Sequence, residues 1–356
     1  MENLQFLLFL AAVIKAVDQY QDLLRVTVAS AGNDHRLGAN EAPPAIISIF
    51  VGEELEAIIE SIASGADYIA PAKTRMELGV DILPTFSKDT TDRNRTSPFA
   101  FTGNKFEFRM PGSAMSIADA NIVLNTAVAK ELKGYADELE NAEDFDTAVI
   151  KLVKRTIRDH KRIIFNGDGY APEWEEEAAR RGLANHKTTA DALPCFLDEK
   201  SVELFEEFGV LTKAELFSRY EVKLEKYNKL INIEGRVMRR MTRRTYLPAI
   251  IAFATDVANG INAFKAAGTT APTSQQEALL DKLLSGIDDI NAALKEVERA
   301  ASDVKAIEDE QEKANHNAHV MLPAMERLRQ TVDDMEIITS RDLWPVPSYN
   351  NLLFYV

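Results

Sequence analysis

Apolar residues open the chain almost without interruption, as "LQFLLFLAAVI" over 4–14, and then settle into helical spacing as far as Arg25. The run is too short to cross a bilayer, Glu2 stands where a signal peptide carries Lys or Arg, and no small-residue cleavage site follows. A buried helix is therefore expected, one that opens as if partway through a larger architecture. Next, "LRVTVAS" (24–30) reads as a β-like run, and "AIISIFVG" (45–52) as a second strand leading into a helix, "EELEAIIESIAS". "MELGVDILP" and "KFEFRMP" are strand-like as well. From Ser113, read as a helix cap, the spacing turns helical through "EDFDTAVIKLVKRTIRDHKRIIF", and "FNGDGYAPEW" breaks it as a turn. Helices are predicted over 173–182, 197–208, 212–243, 246–267 and 273–335, the last two separated by the "AAGTTAPTS" linker. The pattern is an α+β first part followed by an almost wholly helical remainder.

Composition narrows the partners. The 356 residues are 46% hydrophobic, ample for a real core, and 41 basic against 56 acidic residues give a formal charge of -15. That balance disfavours nucleic acid and anionic membranes. The single cysteine, Cys195, rules out an intramolecular disulfide and fits a reducing, cytoplasmic setting. Its apolar neighbours in "LPCFL" point to a buried structural thiol rather than a nucleophile.

The chemistry concentrates in "DRNRTSPFAFTGNKFEFR", residues 92–109. If "KFEFR" is a strand, Phe106 and Phe108 face the core, and Lys105, Glu107 and Arg109 form a charged row about 13 Å long on the other face. On a solvated face this is an ordinary amphipathic strand, which the pattern alone favours. In a cleft, the acid suits a hard divalent metal, and the cations suit carboxylate or phosphate.

Together with that stretch, "HRLGANEAPPAI" (35–46), "FNGDGY" and the closing "LWPVPSYNNLLF" resemble glutamine synthetase, specifically its type III branch. The likeness runs over essentially the whole chain but matches only the carboxy-terminal part of such an enzyme. The resemblance implies an α+β fold: the end of the catalytic domain, an antiparallel sheet with flanking helices, over 1–245, and a helical carboxy-terminal domain and tail over 246–356. It also implies ATP-dependent ligation of ammonia to L-glutamate through γ-glutamyl phosphate, assisted by two Mg2+ or Mn2+ ions, in a homo-oligomer of stacked hexameric rings. In the family pattern, Arg36 matches a glutamate-binding arginine, and Glu41 an acid on a flap that binds ammonium and takes its proton. Arg95 matches an arginine that contacts phosphate and glutamate. Glu107 matches a metal ligand, Arg109 a glutamate-carboxylate contact, and Lys105 a position near the ATP phosphates where many relatives have Arg.

Departures from the common form are visible. A second phosphate-binding arginine is replaced by Ala100, with Arg93 as a speculative substitute. Ile46 to Thr91 is far longer than the usual link, and no adenylylation-loop tyrosine motif is present. Most metal ligands are expected in an amino-terminal half with no counterpart here, so the chain alone is expected to be inactive. The competing reading is a non-catalytic helical assembly module. Elsewhere, "HNAH" (His316, His319) has metal-ligand spacing but reads better as a solvated helix face. "RVMRRMTRR" reads as a helix pairing with acidic neighbours or a subunit contact, and the Trp344, Tyr349 and Phe354 tail as a strap on a partner surface.

Overall fold

Burial of the apolar amino-terminal run and of the helices it meets organises the first half of the computed structural model, which describes residues 4–39, 42, 44–65, 75–76, 86–87, 97–268 and 270–354. The described elements are α1 (Leu4–Gln19), α2 (Gln21–Thr27), α3 (Ala31–Asp34), β1 (Ile49–Phe50), α4 (Glu53–Ser64), β2 (Arg75–Met76), β3 (Phe86–Ser87), β4 (Phe99–Phe101) and β5 (Phe106–Phe108). Then follow α5 (Ala118–Leu139), α6 (Phe145–His160), α7 (Pro172–Arg180), α8 (Thr189–Ala192), α9 (Glu199–Glu207) and α10 (Lys213–Met241). The last are α11 (Leu247–Ala266), α12 (Ser274–Asp303), α13 (Glu310–His316), α14 (Leu322–Ile338) and α15 (Tyr349–Leu353). The chain divides into two compact units, Met1–Lys223 and Leu224–Val356, with the division inside α10.

In the first unit, α1 packs against α5 and α6. Leu10, Ile14 and Val17 are sealed from solvent, as are Val123 and Ala127 of α5 and Leu152, Val153 and Ile157 of α6. The predicted opening helix is thus present, with its buried positions falling from Leu10 onward. Tyr135 of α5 lies in the same core, its hydroxyl 3.1 Å from Thr156 Oγ1. Burial outweighs that hydrogen bond and pushes the phenol up to about 12. The folded state therefore holds its proton more tightly than the unfolded chain does, and this contribution is complete below pH 10 and lost as pH rises towards 12. Tyr135→Phe should lose less stability than the parent between pH 9 and pH 11 in urea titrations. Parallel losses in the two proteins would show that Tyr135 does not couple to folding.

The first four residues of "LRVTVAS", Leu24–Thr27, are helical rather than extended, and the last three lead out of the helix. Leu23, Leu24 and Val26 are fully buried in α2, and Thr27 Oγ1 turns back to the Leu24 carbonyl at 2.6 Å. Burial on all sides overrides the β preference of Val and Thr. Residues 45–52, expected as a strand, are buried, yet only Ile49 and Phe50 join a ladder. β1 pairs parallel to β4 through Ile49↔Phe99 and Phe50↔Ala100, and β4 pairs antiparallel to β5. The described three-stranded sheet is therefore mixed, whereas an antiparallel sheet was expected. Of "MELGVDILP", Met76 lies in β2, and residues 77–84 fall outside the described residues. Ser113 does not cap α5. The helix starts at Ala118, whose N–H bonds to Ser116 Oγ, while residues 112–115 close a turn.

The "FNGDGY" stretch does more than turn the chain. Phe165 N–H donates to the Ile49 carbonyl, and Asn166 Oδ1 accepts from both Val51 N–H and Gly52 N–H at 2.9 Å, at the start of α4. Phe165 stacks on Trp174 with centroids 3.7 Å apart, and the Arg181 guanidinium lies over both rings.

In the second unit, the predicted helix over 273–335 is interrupted. α12 ends at Asp303, Ile307 is extended, and Asp309 caps α13 by accepting from Glu312 N–H at 2.8 Å. The break lets the chain reverse, so that α14 packs on α12 and Met335 fills the space left by Gly286. A buried amide pair, Asn228 and Asn317, ties α10 to the helix turn after α13, at 2.9 Å. His316 bonds to the Ala300 carbonyl and His319 is exposed, so the "HNAH" pair does not converge. Arg243 pairs with Glu298, and Trp344 stacks on Tyr246. Among the described residues, one helical run, Lys213–Ala266, holds a stretch that passes for a membrane span by length and composition alone.

Candidate functional site

The hairpin β4–β5 fixes the charged row. Its register pairs Phe99↔Phe108, Ala100↔Glu107 and Phe101↔Phe106, and the turn closes with Thr102 N–H on the Lys105 carbonyl and Gly103 at φ +93°. Alternation divides the two faces as predicted. On one face, Phe99 stacks with Phe106 at 5.1 Å and touches Phe108 at 5.9 Å, and Phe6 of α1 reaches Phe101. Phe106 and Phe108 are half-buried rather than deep in the core. Glu107 stands on the opposite face, directly across from buried Ala100. The position where the common pattern has an arginine therefore lies beside the acid.

Lys105 Nζ lies 3.5 Å from Glu107 Oε1, with the lysine largely exposed and the acid 23% exposed. Arg109 is anchored at the far end, where its Nη2 donates to the Ser97 carbonyl at 2.6 Å. Ser97 is itself buried, accepting from Ser48 Oγ at 2.7 Å and donating to the Phe165 carbonyl at 2.8 Å. The row is thus seated on β1 and on the turn at Phe165.

Arg36 joins this row from another part of the chain. Its Nη1 donates to the Met110 carbonyl at 2.7 Å and to Asn33 Oδ1 at 3.2 Å, and its Nη2 donates to the Arg109 carbonyl at 3.1 Å. Three bonds do not exhaust the five donors of a guanidinium, so the group retains capacity for an anionic ligand. Asn33, which sequence reasoning passed over, completes the clamp by donating to the carbonyls of Val28 and Met110. Its only sequence signal is its place in α3 just before the "HRLG" string. Ser30 caps that short helix by accepting from Asn33 N–H, and Gly38 at φ +76° permits the turn that follows.

Beneath the clamp lies a buried ion pair. Arg25 and Asp34 are joined at 3.2 Å, with side chains 1% and 5% exposed. Arg25 also donates to the carbonyls of His186 and Lys187, and Asp34 accepts from the N–H and hydroxyl of Thr189. Burial pushes the Asp34 carboxyl up against the pull of Arg25, and lowers the arginine against the pull of the carboxylate. Each charge therefore depends on the other.

The structure brings Arg36, Lys105, Glu107 and Arg109 to one hairpin. Glu41, Arg93 and Arg95 lie outside the described residues. Cys195 is buried, as expected.

A family profile described as "Glutamine synthetase C-terminal domain" matches residues 148–265. Three curated proteins match 99% of the chain. The type-3 glutamine synthetase of Dictyostelium discoideum is 40% identical, the glutamine synthetase of Butyrivibrio fibrisolvens 38%, and that of Bacteroides fragilis (strain YCH46) 37%. The chain spans about half the length of these relatives, covering 49%, 50% and 50% of them respectively. Because the similarity takes in the hairpin as well as the helices, a separate helical assembly module is not favoured. With 99% of its own length matched by these proteins and that domain profile inside it, the chain is similar throughout to one half of a glutamine synthetase.

Proposed function

We propose that this chain supplies the carboxy-terminal part of a type III glutamine synthetase. In that reaction, the side-chain carboxylate of L-glutamate attacks the γ-phosphorus of ATP and ADP departs. Ammonia then attacks the resulting acyl phosphate, and phosphate leaves. The observation that carries the reading is the clamp of Arg36 on the backbone of Arg109 and Met110, since it joins the base of the Glu41 loop to the strand of Glu107.

On this reading, Arg36 and Arg109 bind glutamate carboxylate, and Arg95 bridges glutamate and phosphate. Lys105 offers a point charge near the ATP phosphates without the fork of an arginine. Glu41 closes over the amino-acid site and takes the proton that ammonium releases. Glu107 would hold one of two Mg2+ or Mn2+ ions, as its carboxylate is an oxygen donor suited to a hard cation. Such ions, when bound, neutralise charge on the phosphoryl oxygens. One carboxylate cannot organise a two-metal centre, so the remaining ligands belong to a preceding half. The assignment of 1–245 to the catalytic domain and 246–356 to a helical domain follows the same family pattern. A homo-oligomer, built as stacked hexameric rings, is supported by exposed apolar side chains on α10 and α11, among them Ile233, Val237, Ile251 and Phe264. A cytoplasmic location completes the reading, and neither nucleic acid nor membrane enters it.

The test is complementation. This chain alone, given ATP, glutamate, hydroxylamine and Mg2+, should form no γ-glutamyl hydroxamate, whereas fusion to the amino-terminal half of a type III relative should restore it. Hydroxamate from the chain alone would overturn the two-half reading, and a soluble, assembled fusion without activity would overturn the function.

A further inference from the structure

Away from the hairpin, three donors of different chemistry converge within the first unit. Asp22 of α2, His186 in the loop before α8 and Cys195 in the short turn after it bring a carboxylate oxygen, an imidazole nitrogen and a sulfur within 4.8 Å of one another. We propose that Asp22 Oδ1, His186 Nε2 and Cys195 Sγ form a zinc site, distinct from the Mg2+ or Mn2+ chemistry of the proposed reaction.

The distances favour an ion. With bonds of about 2.3 Å to sulfur and about 2.0–2.2 Å to nitrogen and oxygen, a tetrahedral zinc sets ligand-to-ligand edges at roughly 3.5 Å. Here His186 Nε2 is 3.7 Å from Cys195 Sγ and 3.1 Å from Asp22 Oδ1. The same ring nitrogen faces both partners, so one ion in front of it reaches all three. A nucleophilic Cys-His-Asp relay would instead use the two ring nitrogens in opposite directions. The donor set also selects the cation, because thiolate sulfur suits zinc and not magnesium or calcium.

The donors are held by their surroundings. Arg25 Nε fixes the His186 carbonyl at 2.8 Å, and fully buried Ser201 donates from Oγ to the Cys195 carbonyl at 2.8 Å. Lys200 Nζ takes the other oxygen of Asp22 at 2.8 Å, leaving Oδ1 turned to the histidine. Asp22 lies 164 positions from His186 in sequence, so an ion here staples α2 to the segment that seats Arg25. The fourth position is left to water.

The test uses the whole chain stripped with a chelator and titrated with zinc against a chromogenic competitor, and then with Co2+. We expect one zinc per chain, a higher thermal midpoint, protection of Cys195 from thiol reagents, and a thiolate-to-cobalt band in the near ultraviolet. Cys195→Ser and His186→Gln should each weaken binding at least about tenfold while keeping the parent circular dichroism, and His319→Gln should bind like the parent. The absence of stoichiometric zinc at micromolar free metal, or of the thiolate band in the parent protein, overturns the site without recourse to any variant. Parent-like affinity in Cys195→Ser does the same. None of these readouts depends on catalysis, so the failure of this site and of the proposed reaction remain separable.

Discussion

Replacing Arg25 with alanine should destabilise the first unit by about 3–5 kcal/mol, the range for removing one partner of a buried ion pair. The loss has three sources. Asp34 would be left almost fully buried without its cation, the carbonyls of His186 and Lys187 would lose a donor, and a large side chain would leave a gap between α2 and the 186–189 segment. Burial already pushes the Asp34 carboxyl up with the arginine in place, so the variant should hold it protonated in the fold. Equilibrium urea unfolding followed by tryptophan fluorescence measures the change, since Trp174 is buried in the same unit. A loss under about 1 kcal/mol would show that the pair contributes no more than an exposed one. The effect should reach the proposed reaction as well, because Asp34 lies two residues before Arg36.

Glu107→Gln, made in a fusion with the amino-terminal half of a type III relative, should lower biosynthetic turnover by about a hundredfold or more, the scale expected when a group stabilising transition-state charge is lost. The amide keeps the size of the side chain and its place across from Ala100 but offers a metal ion no negative charge. The Mg2+ concentration for half-maximal rate should rise, while the loss of the ion pair with largely exposed Lys105 should itself cost little stability. Unchanged Mg2+ dependence with normal turnover would remove Glu107 from the metal site.

What could be read from the sequence followed from period and local chemistry. The two faces of "KFEFR" were legible because a strand repeats every two residues. The α5, α6 and α10 helices were legible because long amphipathic runs leave little choice. "LRVTVAS" was misread because β-branched residues suggest a strand, and nothing local reports that α2 is enclosed on every side. The break after Asp303 was hidden for the opposite reason: polar residues at 305–313 continue helical spacing, and Asp309 acts as a cap only once the chain has reversed. Asn33 and Asn166 were missed because their partners lie 77 and 115 positions away, where no spacing rule reaches. The association of Arg36 with the hairpin came from family likeness alone. The physical cause, a guanidinium seated on two strand-end carbonyls, is visible only in three dimensions.

The parallel pairing of β1 with β4 has a consequence for how this protein can change in length. Strands running the same way need a connection that travels back along the sheet, which takes about a dozen residues, so the chain between Val51 and Pro98 cannot shrink to a tight turn. Above that floor, each doubling of a flexible loop adds only about 0.6 kcal/mol of closure entropy. The β4–β5 turn has no such latitude, as Gly103 and the Thr102–Lys105 bond set its size. Extra sequence, whether acquired by descent or grafted as a reporter, is therefore excluded from the β4–β5 turn, whose size these contacts fix.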